Sequence, residues 1–391
     1  MEICPKCSQG TSLMKAGFIR GKQRFRCKDC SYYFTLPTAH PKNERRGRHQ
    51  TTIIDIAQEL GVSNSTVSRA LHDHPDINLD TKKAILAKAQ ELDYQPNQLA
   101  HNLVKSRTNT VGIVVPEFLT QFFPNIIVGA QRVLRQAGYN LMIMQSGESY
   151  ENEVANTRTL LANRVDGLIV SMSHETNNYD HFLAFEKRNI PIVYFNRVIE
   201  GLGTHKVVAN DYQGAFLAVE HLIQNGYRRI AHLGGPPNLL ISKERKRGYL
   251  EALTKYDLPL LPELVINGDF TSQKAAIYAR HLLDLPEPPD AIFAVNDPTA
   301  IEILTLAKAK GIRIPEELGV VGFSDDPIAA HIGKGLTTVK QPTDQIGEAA
   351  AVMILGIMRG EELAFAPETM VLETELVVRG SSILNVEQRR D

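Results

Sequence analysis

Thr51-Thr52-Ile53-Ile54-Asp55-Ile56-Ala57-Gln58-Glu59-Leu60-Gly61-Val62-Ser63-Asn64-Ser65-Thr66-Val67-Ser68-Arg69-Ala70-Leu71 is the stretch from which the rest of this chain is best read. Ile53, Ile56, Ala57 and Leu60 recur at helical spacing, and Gly61 ends that helix because a C-cap commonly needs the left-handed conformation. Ser63 can accept from a free backbone N–H and start a second helix, in which Val67, Ala70 and Leu71 turn inward. The opposite face then offers Asn64, Ser65, Ser68 and Arg69. These are short polar groups and one guanidinium able to read a guanine edge in a major groove, which is the outline of a helix-turn-helix.

A third helix is expected from about Asp80 to Leu92, closing a small core with Ile85, Leu86, Ala89 and Leu92. Next comes Tyr94-Gln95-Pro96-Asn97-Gln98-Leu99-Ala100-His101-Asn102-Leu103, with a proline, an Asn N-cap and barely two turns of helix. So short a helix is unstable alone, since nucleation is costly and few bonds follow it. The motifs T-x-x-D-I-A, G-V-S-x-x-T-V-S-R-A-L, Y-x-P-N-x-L-A-x-x-L and the strand T-V-G-I-V-V-P run from Thr51 to Pro116. Together they resemble the DNA-binding head of the lac-repressor (LacI/GalR) family. That resemblance implies DNA contacts by Thr52, Ser63, Asn64, Ser65, Thr66, Ser68, Arg69 and Asn97. It also implies that the short helix folds when two protomers meet on DNA, inserting Leu103 as a minor-groove wedge with Ala100 beside it.

The remaining residues alternate strand and helix, an α/β pattern. Val111–Val115, Leu141–Met144, Gly167–Val170, Ile192–Phe195, Ile230–Leu233 and Ala291–Val295 read as buried parallel strands, with amphipathic stretches such as Ala215–Gln224 between them. Ala349 to Met358 is too short to span a membrane and reads as a buried helix. The family resemblance implies a body of two similar lobes like a periplasmic sugar-binding protein, the first at about 109–208 and the second at about 209–335, with the chain returning through both. Polar residues at strand ends are candidates for a ligand cleft: Asn196 and Arg197, Asn296 and Asp297, Asp325 and Asp326. Within the resemblance, Arg245 and Asp297 match effector-contacting positions, Phe122 and Phe123 fall where rings cover a ligand's apolar face, and Asn196 replaces a more usual aspartate.

All four cysteines lie in the first thirty residues, as Cys4-Pro-Lys-Cys7 and Cys27-Lys-Asp-Cys30. Two C-x-x-C knuckles at this spacing point to one structural zinc per chain, because four thiolates complete a tetrahedron and leave no position for water. The N-terminus has no basic segment followed by an apolar one, so a cytoplasmic location with reduced thiols is expected. Residues 1–35 resemble the zinc ribbon of some insertion-sequence transposases, with basic-aromatic Gln23-Arg24-Phe25-Arg26 before the second knuckle and Tyr32-Tyr33-Phe34-Thr35 after it. The chain's net charge of −1 hides an asymmetry, for residues 1–50 carry eleven Lys or Arg against three Asp or Glu. A basic end on an acidic body points to a polyanionic partner.

The expected organisation is a zinc ribbon at 1–36, a basic linker at 37–50, a helix-turn-helix head at 51–95, a hinge helix and linker at 96–108, and a two-lobed effector-binding and dimerisation domain at 109–391. The expected function is a homodimeric transcriptional regulator, a repressor, that binds a double-stranded DNA operator and responds to a small-molecule effector, a sugar or sugar derivative. The tail after Ser382 lacks a leucine heptad, which favours a dimer over a zipper-linked tetramer. A sugar-binding protein of a transport system would fit the body but not the head. An α/β enzyme would fit the strand pattern, but there is no G-x-G-x-x-G after the first strand, no P-loop and no G-x-S-x-G elbow.

Overall fold

The structure is a computed structural model describing residues 4–7, 13–19, 22–35, 51–95, 107–200, 203–361 and 369–384. The chain divides into two compact units, Met1–Asn97 and Gln98–Asp391. In the first unit, strands Leu13–Ile19, Lys22–Cys27 and Tyr33–Thr35 form an antiparallel sheet in which Met14 lies opposite Arg26, Arg26 opposite Tyr33, and Arg24 opposite Thr35. Cross-strand partners share a face, so Met14, Arg24, Arg26, Tyr33 and Thr35 stand on one side, and Phe25 and Phe34 on the other.

The head contains helices Ile53–Leu60, Asn64–Leu71 and Leu79–Glu91. Gly61 takes φ 64° at the first C-cap, and the Ser63 hydroxyl accepts from the Thr66 N–H, as the sequence predicts. Asn78 caps the third helix by accepting from the Asp80 N–H, which starts it at Leu79 rather than Asp80. Ile56, Ala57, Val67, Ala70, Ile85 and Ala89 form the core. One expectation fails: Leu86 is 45% exposed. The other helices meet the face bearing Ile85, Ala89 and Leu92, and Leu86 lies about a quarter-turn around the helix from Ile85. Ile77 and Tyr94 pack against the core from outside the helix instead.

The second unit is built on two six-stranded sheets. The first has the order Thr369–Leu372, His205–Ala209, Ile192–Phe195, Gly167–Val170, Thr110–Val115, Asn140–Gln145, all parallel. The second has the order Val265–Asn267, Ile230–Gly234, Ala291–Ala294, Gly319–Ser324, Thr337–Lys340, with Glu375–Val377 antiparallel at its edge. Helices cover the sheets, so central strands such as Gly167–Val170 and Ala291–Ala294 are buried along their whole length. The chain passes between the lobes after Ala209, after Lys340 and after Leu372. Two of these crossings are tied together, because the Asn210 N–H donates to the Leu372 carbonyl at 2.8 Å. Because Thr337–Lys340 pairs inside the second sheet, that lobe reaches Lys340 rather than ending near residue 335.

Helix Thr343–Arg359 then returns to the first lobe and packs on helix Phe122–Gln136. A side chain at Gly347 would lie 1.9 Å from the Ile126 carbonyl oxygen, so the two backbones meet only because that position is bare. The second lobe repeats the device, since a Cβ at Gly248 would lie 2.4 Å from the Tyr212 carbonyl oxygen. Among the described residues, no helix is long and apolar enough to cross a membrane.

Candidate functional site

Three groups of residues carry chemistry. On the second helix of the head, Ser63, Asn64, Ser65 and Arg69 are exposed while Thr66 and Ser68 are half-buried. The Ser63 hydroxyl also lies 2.8 Å from the hydroxyls of Ser65 and Thr66, a cluster that fixes the first turn. Thr52 is exposed before the first helix, and its N–H and hydroxyl both donate to the Asp55 carboxylate at 2.7 Å. Asn97, Ala100 and Leu103 lie outside the described residues.

The sulfurs of Cys4, Cys7, Cys27 and Cys30 all lie within 4.8 Å of one another, with Cys4 to Cys30 and Cys7 to Cys27 each at 3.6 Å. A tetrahedron with Zn–S bonds of about 2.3 Å has S···S edges of roughly 3.8 Å, so the spacing is compatible with a zinc site. Antiparallel pairing delivers the second knuckle at the end of strand Lys22–Cys27, and the Cys27 N–H donates back to the Tyr32 carbonyl to close the turn.

The third group lines a cavity of about 670 Å³ at the carboxyl ends of the parallel strands, between the two lobes of the second unit. The first lobe contributes Phe122, Phe123, Glu148, His174, Asn196 and Arg197, and the second contributes Arg245, Phe270, Asn296, Asp325, Asp326, Lys340 and Gln341. The buried Arg197 guanidinium donates to Glu148 at 2.7 Å and lies 5.0 Å from the centre of the Phe270 ring across the cleft. Burial raises the Glu148 carboxyl, but the hydrogen bond from His174 and the charge and hydrogen bond of Arg197 outweigh it and hold its pKa at about 2. The loop bearing His174 is anchored from below by Glu153, which is fully buried and accepts from the Ser173 N–H, the Thr176 hydroxyl and His181 Nε2.

Arg245 also lines the cavity, but most of its guanidinium is engaged behind the wall. Its Nε donates to Asp211 at 2.7 Å, its Nη1 donates to the Val295 carbonyl, and it lies 3.7 Å from the centre of the Phe323 ring. Asn196 holds φ 54° with its N–H on the Val207 carbonyl, which turns its side chain position into the cleft wall. Phe122 is half-buried at the cavity, while Phe123 is 3% exposed and packs edge-on against both Phe122 and Phe195.

Asp297 departs from its expected place. It is fully buried and is not among the lining residues; it accepts from the Thr338 hydroxyl at 2.5 Å and from the Asp326 N–H at 2.7 Å. Burial, together with the nearby charges of Asp325 and Asp326, pushes its pKa up to about 6 despite those two hydrogen bonds. As helix N1 residue next to the Asn296 cap, it is held where it can shape the Asp325-Asp326 loop rather than touch the cavity. Glu148, His174, Phe270 and Gln341 were not read from sequence. The rule that ligands gather at strand ends reaches Glu148 and His174, but Phe270 follows a strand of only three residues.

A larger cavity of about 910 Å³, lined by Arg107, Arg164, Asp166, Arg188 and His205, opens at the amino-terminal ends of the first lobe's strands. Parallel sheets place their ligands at the other end, so the cleft between lobes is the better ligand site.

A helix-turn-helix in one unit and, in the other, a two-lobed α/β body with a cleft on which a few charged and polar side chains converge define the class of a bacterial regulatory protein with a periplasmic-binding-protein-like body. Residues 52–97 match the family model described as bacterial regulatory proteins, lacI family, and residues 219–382 match the periplasmic binding protein-like domain. The chain is 33% identical over 334 residues to the probable HTH-type transcriptional repressor ExuR of Bacillus subtilis (strain 168), an alignment covering 84% of this chain and 98% of that protein. It is 30% identical to the transcriptional regulator CelR in its cellobiose complex, with a TM-score of 0.66 over 85% of this chain and 100% of that one. The fold is shared with the lac repressor dimer bound to operator and the anti-inducer ONPF, at 23% identity and a TM-score of 0.76 over 86% of this chain and 100% of that one. The chain belongs to the LacI family of bacterial regulatory proteins. It is thus a regulator rather than an enzyme, and its cysteine ribbon precedes both matched segments.

Proposed function

We propose that this protein is a cytoplasmic, homodimeric transcriptional repressor that binds a DNA operator through residues 51–95 and is controlled by a carbohydrate effector in the cleft. The observation that carries the reading is the exposed row Asn64, Ser65 and Arg69 on a capped recognition helix, in a chain whose other unit holds a largely apolar cavity of about 670 Å³ on which Arg197, Arg245 and Asn196 converge. Thr52, Ser63, Thr66 and Ser68 position that helix on the duplex, and Asn97, Ala100 and Leu103 serve as the hinge whose leucine wedges into the minor groove. In the cleft, Arg197 and Arg245 supply donors, Asn196 supplies both donor and acceptor, and Phe122 and Phe123 supply an apolar wall, a set suited to a ring bearing hydroxyls. Asp297 acts by holding the Asp325-Asp326 loop. The relative whose structure is a complex with cellobiose supports a sugar as the effector class.

The DNA reading is tested with Arg69→Ala. Binding to a duplex selected from a random library should weaken by about 5- to 150-fold, the ~1–3 kcal/mol of one paired guanine contact, while affinity for random DNA is unchanged. Equal losses on both duplexes would show that Arg69 does not read a base. Calorimetry against a panel of sugars and nucleosides tests the cleft, where failure of every sugar to bind while a nucleoside does would reject the carbohydrate assignment.

The cysteine cluster holds one structural zinc in this reading, with all four thiolates as ligands. Its sulfur spacing supports the assignment. Protein purified under reducing, chelator-free conditions should contain about one zinc per chain, and Cys4→Ser with Cys7→Ser should reduce this to none. Because the head has its own core around Ile56, Val67 and Ile85, that variant should keep its unfolding transition. Metal analysis finding no zinc in the unsubstituted protein would refute the site.

A further inference from the structure

The ribbon has a surface that the operator-binding reading does not use. On one face of its sheet the Arg24 guanidinium lies 4.4 Å from the centre of the Tyr33 ring and the Arg26 guanidinium lies 5.6 Å from it. Arg26 Nη2 also donates to the Ser31 hydroxyl at 3.2 Å, which steadies it beside the ring. Tyr33 and Met14 on this face are 43% and 42% exposed. At the edge, Lys6 Nζ stands 5.6 Å from the ring centre of Tyr32, itself 43% exposed. Among the described residues of the ribbon the acidic side chain is Asp29, in the turn at the second knuckle and off this face. Two arginines on an aromatic floor, in a ribbon where Asp29 is the one acidic side chain among the described residues, offer guanidinium donors to phosphates.

The charge distribution indicates which polyanion this is. Residues 1–50 carry a net +8 in a chain whose total is −1, and the head that follows contributes no net positive charge of its own. We infer that the ribbon docks on the sugar-phosphate backbone of double-stranded DNA flanking the operator, gripping it through Arg24 and Arg26 without reading bases. The inference rests on the operator-binding reading above. The head brings the duplex within reach, and the fifteen residues 36–50 that connect it to the ribbon span at most roughly 50 Å. At about 3.4 Å per base pair, the ribbon's contact falls within roughly fifteen base pairs of the head's own site.

The test uses the full chain loaded with zinc and a duplex it selects from a random library. One form of the duplex is trimmed to the limits of the head's protection, and the other carries fifteen added base pairs of scrambled sequence on each side. Fluorescence anisotropy near physiological salt should show the flanked duplex bound at least 10-fold more tightly, whichever flank sequence is used. The double substitution Arg24→Ala with Arg26→Ala should remove that advantage, lower the salt slope by about 2 and leave the trimmed duplex bound as before. Arg24→Lys with Arg26→Lys should restore part of the advantage. Equal affinity of the unsubstituted protein for the two duplexes would overturn the inference while leaving operator binding intact, and this comparison needs no variant to fold. A double-alanine variant that loses equally on both duplexes would overturn it too, as would a ribbon that binds a protein partner instead. If the chain enriches no sequence at all, the operator-binding reading fails and takes the inference with it.

Discussion

Arg245→Ala will destabilise the second unit by about 3–5 kcal/mol, the cost of leaving a buried charge without its partner. Arg245 and Asp211 are 3% and 5% exposed, and the Arg245 Nη2 lies 2.6 Å from the Asp211 carboxylate. Burial pushes the Asp211 carboxyl above its ordinary range even with Arg245 beside it, so removing the guanidinium leaves an acid that must protonate or admit water. The Val295 carbonyl loses its donor in the same step. Changing both partners, Arg245→Met with Asp211→Asn, should recover most of the stability, because no unpaired charge then remains. Urea unfolding separates the cases. The effector response should stay lost in the double variant if Arg245 also contacts ligand, whereas recovery of both stability and response would make Arg245 purely structural.

Acid titration should expose two buried groups of opposite sign in the second lobe. His232 is fully buried between Tyr249 and Phe293, with ring centres 5.2 and 5.0 Å away, and its Nδ1 lies 3.1 Å from the Phe293 carbonyl. Burial lowers its pKa from 6.5 to about 4. The unfolded chain therefore takes up the proton first, and this contribution to stability is complete above pH 6.5 and is lost as pH falls towards 4. Asp297 behaves oppositely. Its folded pKa of about 6 lies above the ordinary 3.8, so the folded chain binds the proton first and gains stability as pH falls through the same window. Each shift corresponds to about 3 kcal/mol, so the two largely offset one another in the unsubstituted protein. Relative to the unsubstituted protein, Asp297→Asn should accordingly lose about 3 kcal/mol more between pH 6.5 and 4, and His232→Leu about 3 kcal/mol less. Denaturant unfolding at several pH values checks this. Parallel profiles for the three proteins would mean that neither group titrates in that window.

Local patterns were sufficient wherever a feature was set by neighbouring residues. The stripe Ile53, Ile56, Ala57 with Gly61 and Ser63 specified two helices and their caps, because helix periodicity and capping involve residues no more than four positions apart. The cysteine spacing was equally legible, since two tight turns bring four thiolates together once the strands pair. Core strands such as Gly167–Val170 and Ile192–Phe195 stood out because both their faces are covered. Edge strands did not: Val265–Asn267 and Glu375–Val377 have three residues each, too few for a period to register.

The amino-acid sequence by itself thus determined the order of modules, the helix-turn-helix and its exposed polar row, the cysteine cluster, the α/β character of the body and, through its motifs, the family. Tertiary structure decided what depends on partners distant in the chain. It placed Leu86 at the surface, carried the second lobe to Lys340, and set Arg245 against Asp211, thirty-four positions away. It also moved Asp297 from the cavity wall to a buried post beneath it, a distinction no local pattern contains. Whether a polar side chain at a strand end faces ligand or supports a loop depends on which acceptor the opposing strand offers, and here Thr338 and the Asp326 N–H reach Asp297 first.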